Sequence, residues 1–195
     1  MITVGLYSNI GGGKTFIAAL FAKCGAMVIN ADKEVARLLQ QEEIIQQIGE
    51  HFPGAVKEGC LNKKYLADTV FADRVKLDEL ESIIHPPVKK IIWEQYHKAE
   101  KAETQLLVLD IPLLYDSEFE EVCDVRIFIE TEDNVRFDRL LNNRGLRRTE
   151  VVEREKLQPA CEKKKQRADY IISNSSDPKH AEEQVKQIIN EISNK

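Results

Sequence analysis

The sequence predicts an α/β fold in which helices flank a parallel β-sheet. The chain opens with an apolar strand at 2–6, a glycine cluster, a helix at about 14–23 and a second apolar run at 26–29. This strand–helix–strand order is typical of a parallel βαβ unit. Three further apolar runs have the length of buried strands and lie at 106–109, 125–129 and 170–172. We therefore predict a three-layer α/β/α fold with a five-stranded sheet.

The composition is that of an ordinary globular chain. Its 195 residues are 43% hydrophobic and 31% charged, which excludes intrinsic disorder and collagen-like repeats. The net charge of −5 argues against a general nucleic-acid-binding protein. The longest apolar stretch, 106–114, is too short to cross a bilayer. Four scattered cysteines without a CxxC pair make a zinc site unexpected and favour a reducing, cytoplasmic compartment.

The helices are predicted from apolar residues spaced three or four apart. Most of the region from about 60 to 102 has this spacing, and His85-Pro86-Pro87 interrupts it. A last helix is expected after Asp177, an N-cap residue followed by Pro178. Because the sequence has no repeats and no low-complexity linker, we predict a single domain over residues 1–195.

The glycine cluster between the first strand and the first helix carries the strongest functional signal. Glycines let backbone N–H groups surround phosphate oxygens, and a helix N-terminus adds partial positive charge. In such a loop a lysine reaches the β- and γ-phosphates, and the hydroxyl after it binds Mg²⁺. The alternative is a flexible glycine turn, which we disfavour here. The predicted nucleotide-binding residues are Gly11, Gly12, Gly13, Lys14, Thr15 and Phe16.

Ser8 departs from the phosphate-loop pattern GxxxxGK[ST], which has glycine at this position. If the position needs a positive φ, serine costs on the order of 1 kcal/mol there. Asn9 tolerates such a conformation better than most residues. We therefore predict that Ser8→Gly maintains or raises nucleotide affinity or rate.

Two aspartates lie at predicted carboxyl ends of strands, where ligands bind in parallel α/β sheets. Asp110 directly follows the apolar run 106–109. In nucleotide-binding sites an aspartate at the end of such a strand helps to hold Mg²⁺. The alternative interpretation of Asp110 is a turn residue that ends the strand. Asp32 follows the second strand and has the chemistry of a general base for a hydroxyl group. The alternative for Asp32 is a helix N-cap, and the residues alone do not separate the two.

Residues 136–167 form a basic segment, with 11 lysines and arginines against 5 acidic residues. Arg136 and Arg139 share one face of a predicted helix, and Arg144 follows. Because arginine binds phosphate through paired hydrogen bonds, the segment is predicted to be a lid over the transferred phosphate. We favour the alternative, a solvated charged helix, for residues 147–148 and 163–165.

For three side chains in the helical region, the residue type favours a structural role over contact with a ligand. A lone histidine such as His85 is more often structural or a helix terminator than a ligand contact. Trp93 and Tyr96 have the chemistry to touch an acceptor base, but we favour packing in the core for both.

In order and spacing, the motifs resemble those of dephospho-coenzyme A kinases over nearly the whole chain. The most specific block is Asp110-Ile111-Pro112-Leu113-Leu114, which is similar to the family's D-[VI]-P-L-L. The other similar segments are Gly5 to Thr15, Asn30-Ala31-Asp32 with Arg37, Leu61 to Phe71, Ile84-His85-Pro86, Arg139 with Arg144, Arg154 with Gln158, and Arg167 to Asn174.

The resemblance implies a P-loop kinase fold with strand order 2-3-1-4-5. It implies a core of residues 1–59, 103–137 and 167–195, a helical acceptor-binding insertion at 60–102 and a lid at 138–166. The implied reaction transfers the γ-phosphoryl group of ATP, with Mg²⁺, to the ribose 3′-hydroxyl of dephospho-coenzyme A. The products are coenzyme A and ADP.

The resemblance also implies roles for individual residues. The catalytic residues are Lys14, Asp32, Arg139 and Arg144. The metal-binding residues are Thr15 and Asp110. The acceptor-binding residues are Asp32, Arg37, His85, Pro112 and Leu113. The expected partner is the small molecule dephospho-coenzyme A. No binding of nucleic acid or membrane is expected, and a monomer is favoured.

The sequence departs from the family pattern at four positions. Ser8 and Asn9 replace two glycines, Asn30 replaces the first aspartate of a DAD segment, and Lys63 stands where arginine is usual. These departures support one alternative, a degenerate nucleotide-binding protein without catalysis. The other alternative is a different small-molecule or nucleotide kinase of the same fold.

Overall fold

The chain divides into two compact units. The structure, a computed structural model, describes residues 1–112, 114–115, 117–156 and 161–194, apart from the side chains of Phe71 and Arg144. The first unit comprises Met1–Asn30 and Ala99–Lys195, and the second comprises Ala31–Lys98.

The described chain contains both strands and helices. The strands are β1 (Ile2–Ser8), β2 (Met27–Asn30), β3 (Val56–Lys57), β4 (Cys60–Leu61), β5 (Leu106–Asp110), β6 (Val125–Glu130) and β7 (Tyr170–Ser173). The helices are α1 (Lys14–Lys23), α2 (Ala31–Leu38), α3 (Glu42–His51), α4 (Lys63–Phe71), α5 (Arg74–Lys101), α6 (Asp133–Arg144), α7 (Arg148–Glu155), α8 (Cys161–Arg167) and α9 (Pro178–Ser193).

The first unit is built on a five-stranded sheet. Its strands lie in the order β2-β5-β1-β6-β7, and each neighbouring pair is parallel. Counted without the small β3–β4 hairpin, this is the order 2-3-1-4-5, so the predicted fold class is confirmed. The carboxyl ends of parallel strands share one edge of the sheet, which is where ligands bind in such folds. Asn30 and Asp110, the last residues of β2 and β5, are paired in register at this edge.

One face of the sheet packs against α1 and α9. Val4 and Leu6 point to this face, since alternate residues of a strand lie on the same side. They are buried together with Ile17 and Phe21 of α1 and Val185 of α9. Full burial of a side chain such as Phe21 stabilises the fold by about 1.5–3 kcal/mol. This packing fixes the start of α1, and with it the glycine loop, against the sheet.

The second unit contains α2, α3, the β3–β4 hairpin, α4 and most of α5. Helix α5 runs without a break through residues 85–87, including both prolines, so the interruption predicted there is wrong. Each proline removes an amide donor from the helix, but Ile84, Val88 and Ile92 remain buried at four-residue spacing. This apolar stripe continues across the prolines and stabilises one helix. Although α5 has 28 residues, no helix in the described part is long and apolar enough to cross a membrane.

The cysteines at 24, 60, 123 and 161 are free thiols. Cys24 and Cys60 are exposed, whereas Cys123 is buried, and this burial raises the pKa of the Cys123 thiol to about 12.

Candidate functional site

The loop between β1 and α1 has glycine where a side chain does not fit. Gly11 and Gly13 have φ of +80° and +85°, in the left-handed region that glycine enters at no steric cost. A Cβ at Gly13 would overlap the side chain of Asn174. A Cβ at Gly12 would lie 2.9 Å from the Cβ of Ser8. The glycines therefore let the loop fold tightly against its neighbours.

Lys14 and Asp110 form an ion pair at the carboxyl edge of the sheet. The Nζ of Lys14 lies 2.7 Å from Oδ1 of Asp110. Asp110 is only 2% exposed, so it is not the solvent-facing turn residue of the alternative interpretation. Its other oxygen, Oδ2, accepts a hydrogen bond from the Asn30 amide. The ammonium and the amide together satisfy a carboxylate that would be costly to bury alone.

The N-terminus of α1 is suited to an anion. Gly13 is its N-cap, without a side-chain capping hydrogen bond, and its first turn has no acidic residue. The first N–H groups of a helix have no partner within the helix, and they carry partial positive charge. Thr15 and Phe16 are exposed in this turn. Together with the Lys14 ammonium, these groups have the charge and the hydrogen-bond donors that a phosphate group requires.

Thr15 and Asp110 fit the predicted metal. Hydroxyl and carboxylate oxygens are the hard donors that Mg²⁺ takes in proteins, and the side chain of Thr15 is exposed at the start of α1. Both oxygens of Asp110 have partners, in Lys14 and Asn30. This arrangement suits an aspartate that contacts the ion through the water shell that Mg²⁺ usually keeps.

Arg136 on α6 binds the backbone of the glycine loop. Its guanidinium donates to the backbone oxygen of Ile10 at 2.8 Å and pairs with the carboxylates of Asp133 and Glu155. The side chain is 3% exposed. Burial alone would lower the pKa of Arg136, but the hydrogen bonds to the two carboxylates raise it. The sequence places Arg136 on one helix face with Arg139, and the structure shows that the Arg136 guanidinium binds the loop backbone.

Lys164 on α8 also contacts the loop. Its Nζ lies 3.2 Å from the backbone oxygen of Ser8, and the residue is 4% exposed. Burial lowers the pKa of Lys164. The solvated helix that we favoured for residues 163–165 is therefore wrong for this lysine.

Two residues at the loop were not predicted. The side chains of Asn174 and Thr131 both donate to the backbone oxygen of Gly12, each at 2.9 Å. Asn174 is the last residue of segment 167–174, which resembles the family motif, and it directly follows β7. Both features indicated a role for Asn174 at this edge of the sheet. Thr131 follows β6 and belongs to no motif, so only its place after a strand indicated it.

Arg139 on α6 lies close to the loop. It is half-buried, and its Nη1 lies 3.7 Å from the point where a Cβ on Gly13 would be. Among the described residues, no hydrogen bond or ion pair engages its guanidinium, so a phosphate at the loop has access to it. Arg144 is the last residue of α6, and its side chain lies outside the described structure, as does all of Gln158.

Asp32 and Arg37 lie on α2, in the second unit. Asp32 is the second residue of this helix and is exposed. It lies within the first helical turn, and in the described part of the chain its carboxylate caps no N–H group, so it is not the N-cap of the alternative interpretation. Arg37 donates to the carboxylate of Glu34 at 3.0 Å and keeps 71% of its side chain exposed.

The other predicted acceptor-binding residues are His85, Pro112 and Leu113. His85 is exposed on α5, and Pro112 is exposed after β5. Leu113 lies outside the described residues. Trp93 and Tyr96 are half-buried and pack edge to face with ring centroids 5.5 Å apart. The two rings therefore pack against each other without being fully buried.

Ser8 does not have the positive φ that would strain a serine at this position. Ser8 ends β1 and pairs with Ile129 of β6. Neither Ser8 nor Asn9 belongs to the described non-glycine residues with positive φ, which are Glu58 and Glu103. The backbone at position 8 is ordinary strand, so the reason for expecting a gain from glycine is wrong.

We now expect Ser8→Gly to weaken ATP binding by no more than about fivefold, since added backbone freedom in a strand costs about 0.5–1 kcal/mol. The backbone oxygen that Lys164 binds is retained in this variant. Isothermal titration calorimetry with ATP measures the effect, and Gly12→Ala is the matched contrast, because its new Cβ meets Ser8. A loss in Ser8→Gly as large as that in Gly12→Ala would show that the serine hydroxyl itself contributes to the nucleotide site.

The fold and the site define a class of protein. A parallel sheet of order 2-3-1-4-5 has a glycine loop that leads from its central strand into a helix. The lysine that begins this helix contacts the aspartate at the end of the neighbouring strand. These are the features of a P-loop protein of the kinase type.

Comparison with known proteins identifies the family within this class. The sequence profile of the family described as dephospho-CoA kinase matches residues 2–180. The dephospho-CoA kinase of Bacillus licheniformis is 33% identical over 196 residues, which cover 99% of this chain and 98% of that protein. The chain belongs to the dephospho-CoA kinase family, so the resemblance drawn from the motifs is confirmed.

Solved structures share the fold of this chain. The crystal structure of TT1252 from Thermus thermophilus has a TM-score of 0.79 and 32% identity, with 97% of each chain covered. A dephospho-CoA kinase from Campylobacter jejuni has a TM-score of 0.70 at 23% identity, with 97% of this chain and 96% of that chain covered. The latter likeness supports the fold.

Proposed function

We propose that this chain transfers the γ-phosphoryl group of ATP to the ribose 3′-hydroxyl of dephospho-coenzyme A, giving coenzyme A and ADP. Membership of the dephospho-CoA kinase family supports the acceptor. The observation that carries the proposal is the Lys14 ammonium held 2.7 Å from the buried Asp110 carboxylate at the mouth of the glycine loop. This arrangement keeps a cation at the place where polyphosphate meets a helix N-terminus.

The phosphate donor binds at residues 11–16. The N–H groups of the loop and of the first turn of α1 donate to its β- and γ-phosphate oxygens. Lys14 places its charge on the group being transferred. Thr15 and Asp110 would hold Mg²⁺, which offsets the charge of the phosphates when it is bound.

The acceptor hydroxyl attacks the γ-phosphorus in line with the departing ADP oxygen. The new bond joins the 3′-oxygen to phosphorus, and the bond between phosphorus and the bridging oxygen of ADP breaks. Asp32 accepts the proton of the hydroxyl, a role supported by its exposed carboxylate without a capping hydrogen bond in the described chain. Arg139 and Arg144 stabilise charge on the transferring group. The position of the half-buried Arg139 beside the loop supports this role.

The acceptor is recognised by Arg37, His85, Pro112 and Leu113, together with Asp32. In this proposal residues 60–102 form the acceptor-binding insertion, and residues 138–166 close over the site and exclude water. The partner of the chain in this proposal is dephospho-coenzyme A. The enzyme is monomeric and cytoplasmic, and it binds neither nucleic acid nor membrane.

An assay of ADP release separates the proposal from its two alternatives. ADP is measured with ATP and Mg²⁺ alone, with dephospho-coenzyme A added, and with nucleoside monophosphates added. We expect release that depends on dephospho-coenzyme A. Release that depends on a nucleoside monophosphate instead would favour a different kinase, and binding of ATP without any dependent release would favour a degenerate nucleotide-binding protein.

A further inference from the structure

Side chains bind the backbone of the glycine loop at three alternate residues. The backbone oxygens of Ser8, Ile10 and Gly12 each accept a hydrogen bond from a side chain. In a trans peptide the N–H points away from the C=O of the same unit. Each hydrogen bond therefore fixes the direction of one N–H group, at residue 9, 11 or 13, which points away from the side chain that binds the oxygen. N–H groups with fixed directions are what binds phosphate oxygens in such loops.

The donors to these oxygens come from different elements. Arg136 of α6 binds at Ile10, Lys164 of α8 binds at Ser8, and Asn174 after β7 binds at Gly12. The basic segment thus places two of its cations on the loop backbone.

Lys164 differs sharply from its two lysine neighbours. It is 4% exposed, with its ammonium 3.2 Å from the Ser8 oxygen. Lys163 is exposed, and Lys165 pairs with Glu130. Burying an ammonium group is costly unless it makes strong contacts. The contact with the Ser8 oxygen is one such contact, and it joins Lys164 to the first peptide of the loop.

We propose that Lys164 is a positioning residue for the phosphate loop, which acts through the Ser8 backbone oxygen to hold the loop in its ATP-binding conformation. It contacts neither the acceptor nor the reacting atoms in this proposal. Its removal lets the peptide between residues 8 and 9 rotate, which turns one N–H group away from the bound phosphates. The kinetic test of this proposal rests on the proposed function, whereas the test by ATP binding does not.

The test compares Lys164→Met with Lys163→Met. Methionine keeps an unbranched side chain of similar length and removes the donor and the charge. We expect Lys164→Met to raise the Kd for Mg²⁺-ATP in calorimetry, and the KM for ATP, by about tenfold, as for loss of a charged hydrogen-bond donor. The KM for dephospho-coenzyme A should stay unchanged. The matched control, Lys163→Met, should keep all three constants.

Lys164→Arg retains a charged donor and is expected to recover most of the ATP affinity. It also serves as the test variant if Lys164→Met does not fold, which a thermal melt shows directly. An unchanged ATP Kd in a folded Lys164→Met protein would overturn the proposal, and so would a rise confined to the KM of the acceptor. If the parent binds ATP but does not phosphorylate dephospho-coenzyme A, the proposed function fails while the comparison of ATP Kd values still tests Lys164.

Discussion

Lys14→Ala is expected to lower the rate of phosphoryl transfer by several orders of magnitude. The loop lysine supplies positive charge to the transferring phosphoryl group, and a developing charge in a water-poor site depends strongly on such a group. The structure places this ammonium at the start of α1, against the buried Asp110. The measurement is ADP release at saturating ATP and dephospho-coenzyme A.

The control for Lys14→Ala lies on the same helix. Lys23 is exposed in the last turn of α1, so Lys23→Ala removes one positive charge far from the loop and should keep full activity. Removal of Lys14 also leaves the Asp110 carboxylate with one partner fewer, so a lower Tm is expected, with folding retained through the bond from Asn30. Equal activity of Lys14→Ala and the parent would contradict the role of the loop lysine.

Asp32→Asn is expected to abolish turnover while ATP affinity stays the same. An amide nearly keeps the shape of the carboxylate but cannot accept the hydroxyl proton. Asp32 lies in the first turn of α2, where a negative charge near a helix N-terminus stabilises by about 0.3–1 kcal/mol, so the Tm should change little. Product formation, ATP affinity and Tm should be measured on the same preparation.

Glu43→Gln is the matched control for Asp32→Asn. Glu43 is an exposed acidic residue in the first turn of α3, so this variant makes the same carboxylate-to-amide change at another helix start. It should keep full turnover. An active Asp32→Asn protein would remove the general base from the mechanism, and a large fall in its Tm would indicate a structural role for Asp32.

The sequence predicts the first unit well because its strands are short and apolar. Burial on both faces of a parallel strand leaves a continuous apolar run, and such runs correspond to β1, β2, β5, β6 and β7. The glycine loop and Asp110 follow from local patterns, since their chemistry depends on neighbours in the chain. These are the parts of the site that can be read from residue type and spacing.

Other parts depend on tertiary contacts that local patterns do not contain. Residues 163–165 are three lysines in a row, and only the packing of α8 against the loop decides that Lys164 is the buried one. The continuity of α5 through residues 85–87 depends on burial along the whole helix. Ser8 looks strained when it is compared with a motif, but it is the last residue of β1 and has the backbone of a strand residue paired with β6.

The most direct test of the account is the position of the transferred phosphate. The protein is incubated with Mg²⁺, dephospho-coenzyme A and ATP labelled in the γ-phosphate, and the products are separated and assigned by mass and NMR. The account predicts that the label appears on the ribose 3′-oxygen of coenzyme A, with one ADP formed for each label transferred and no transfer without the acceptor. Label recovered as inorganic phosphate, or ADP formed at the same rate without dephospho-coenzyme A, would contradict it.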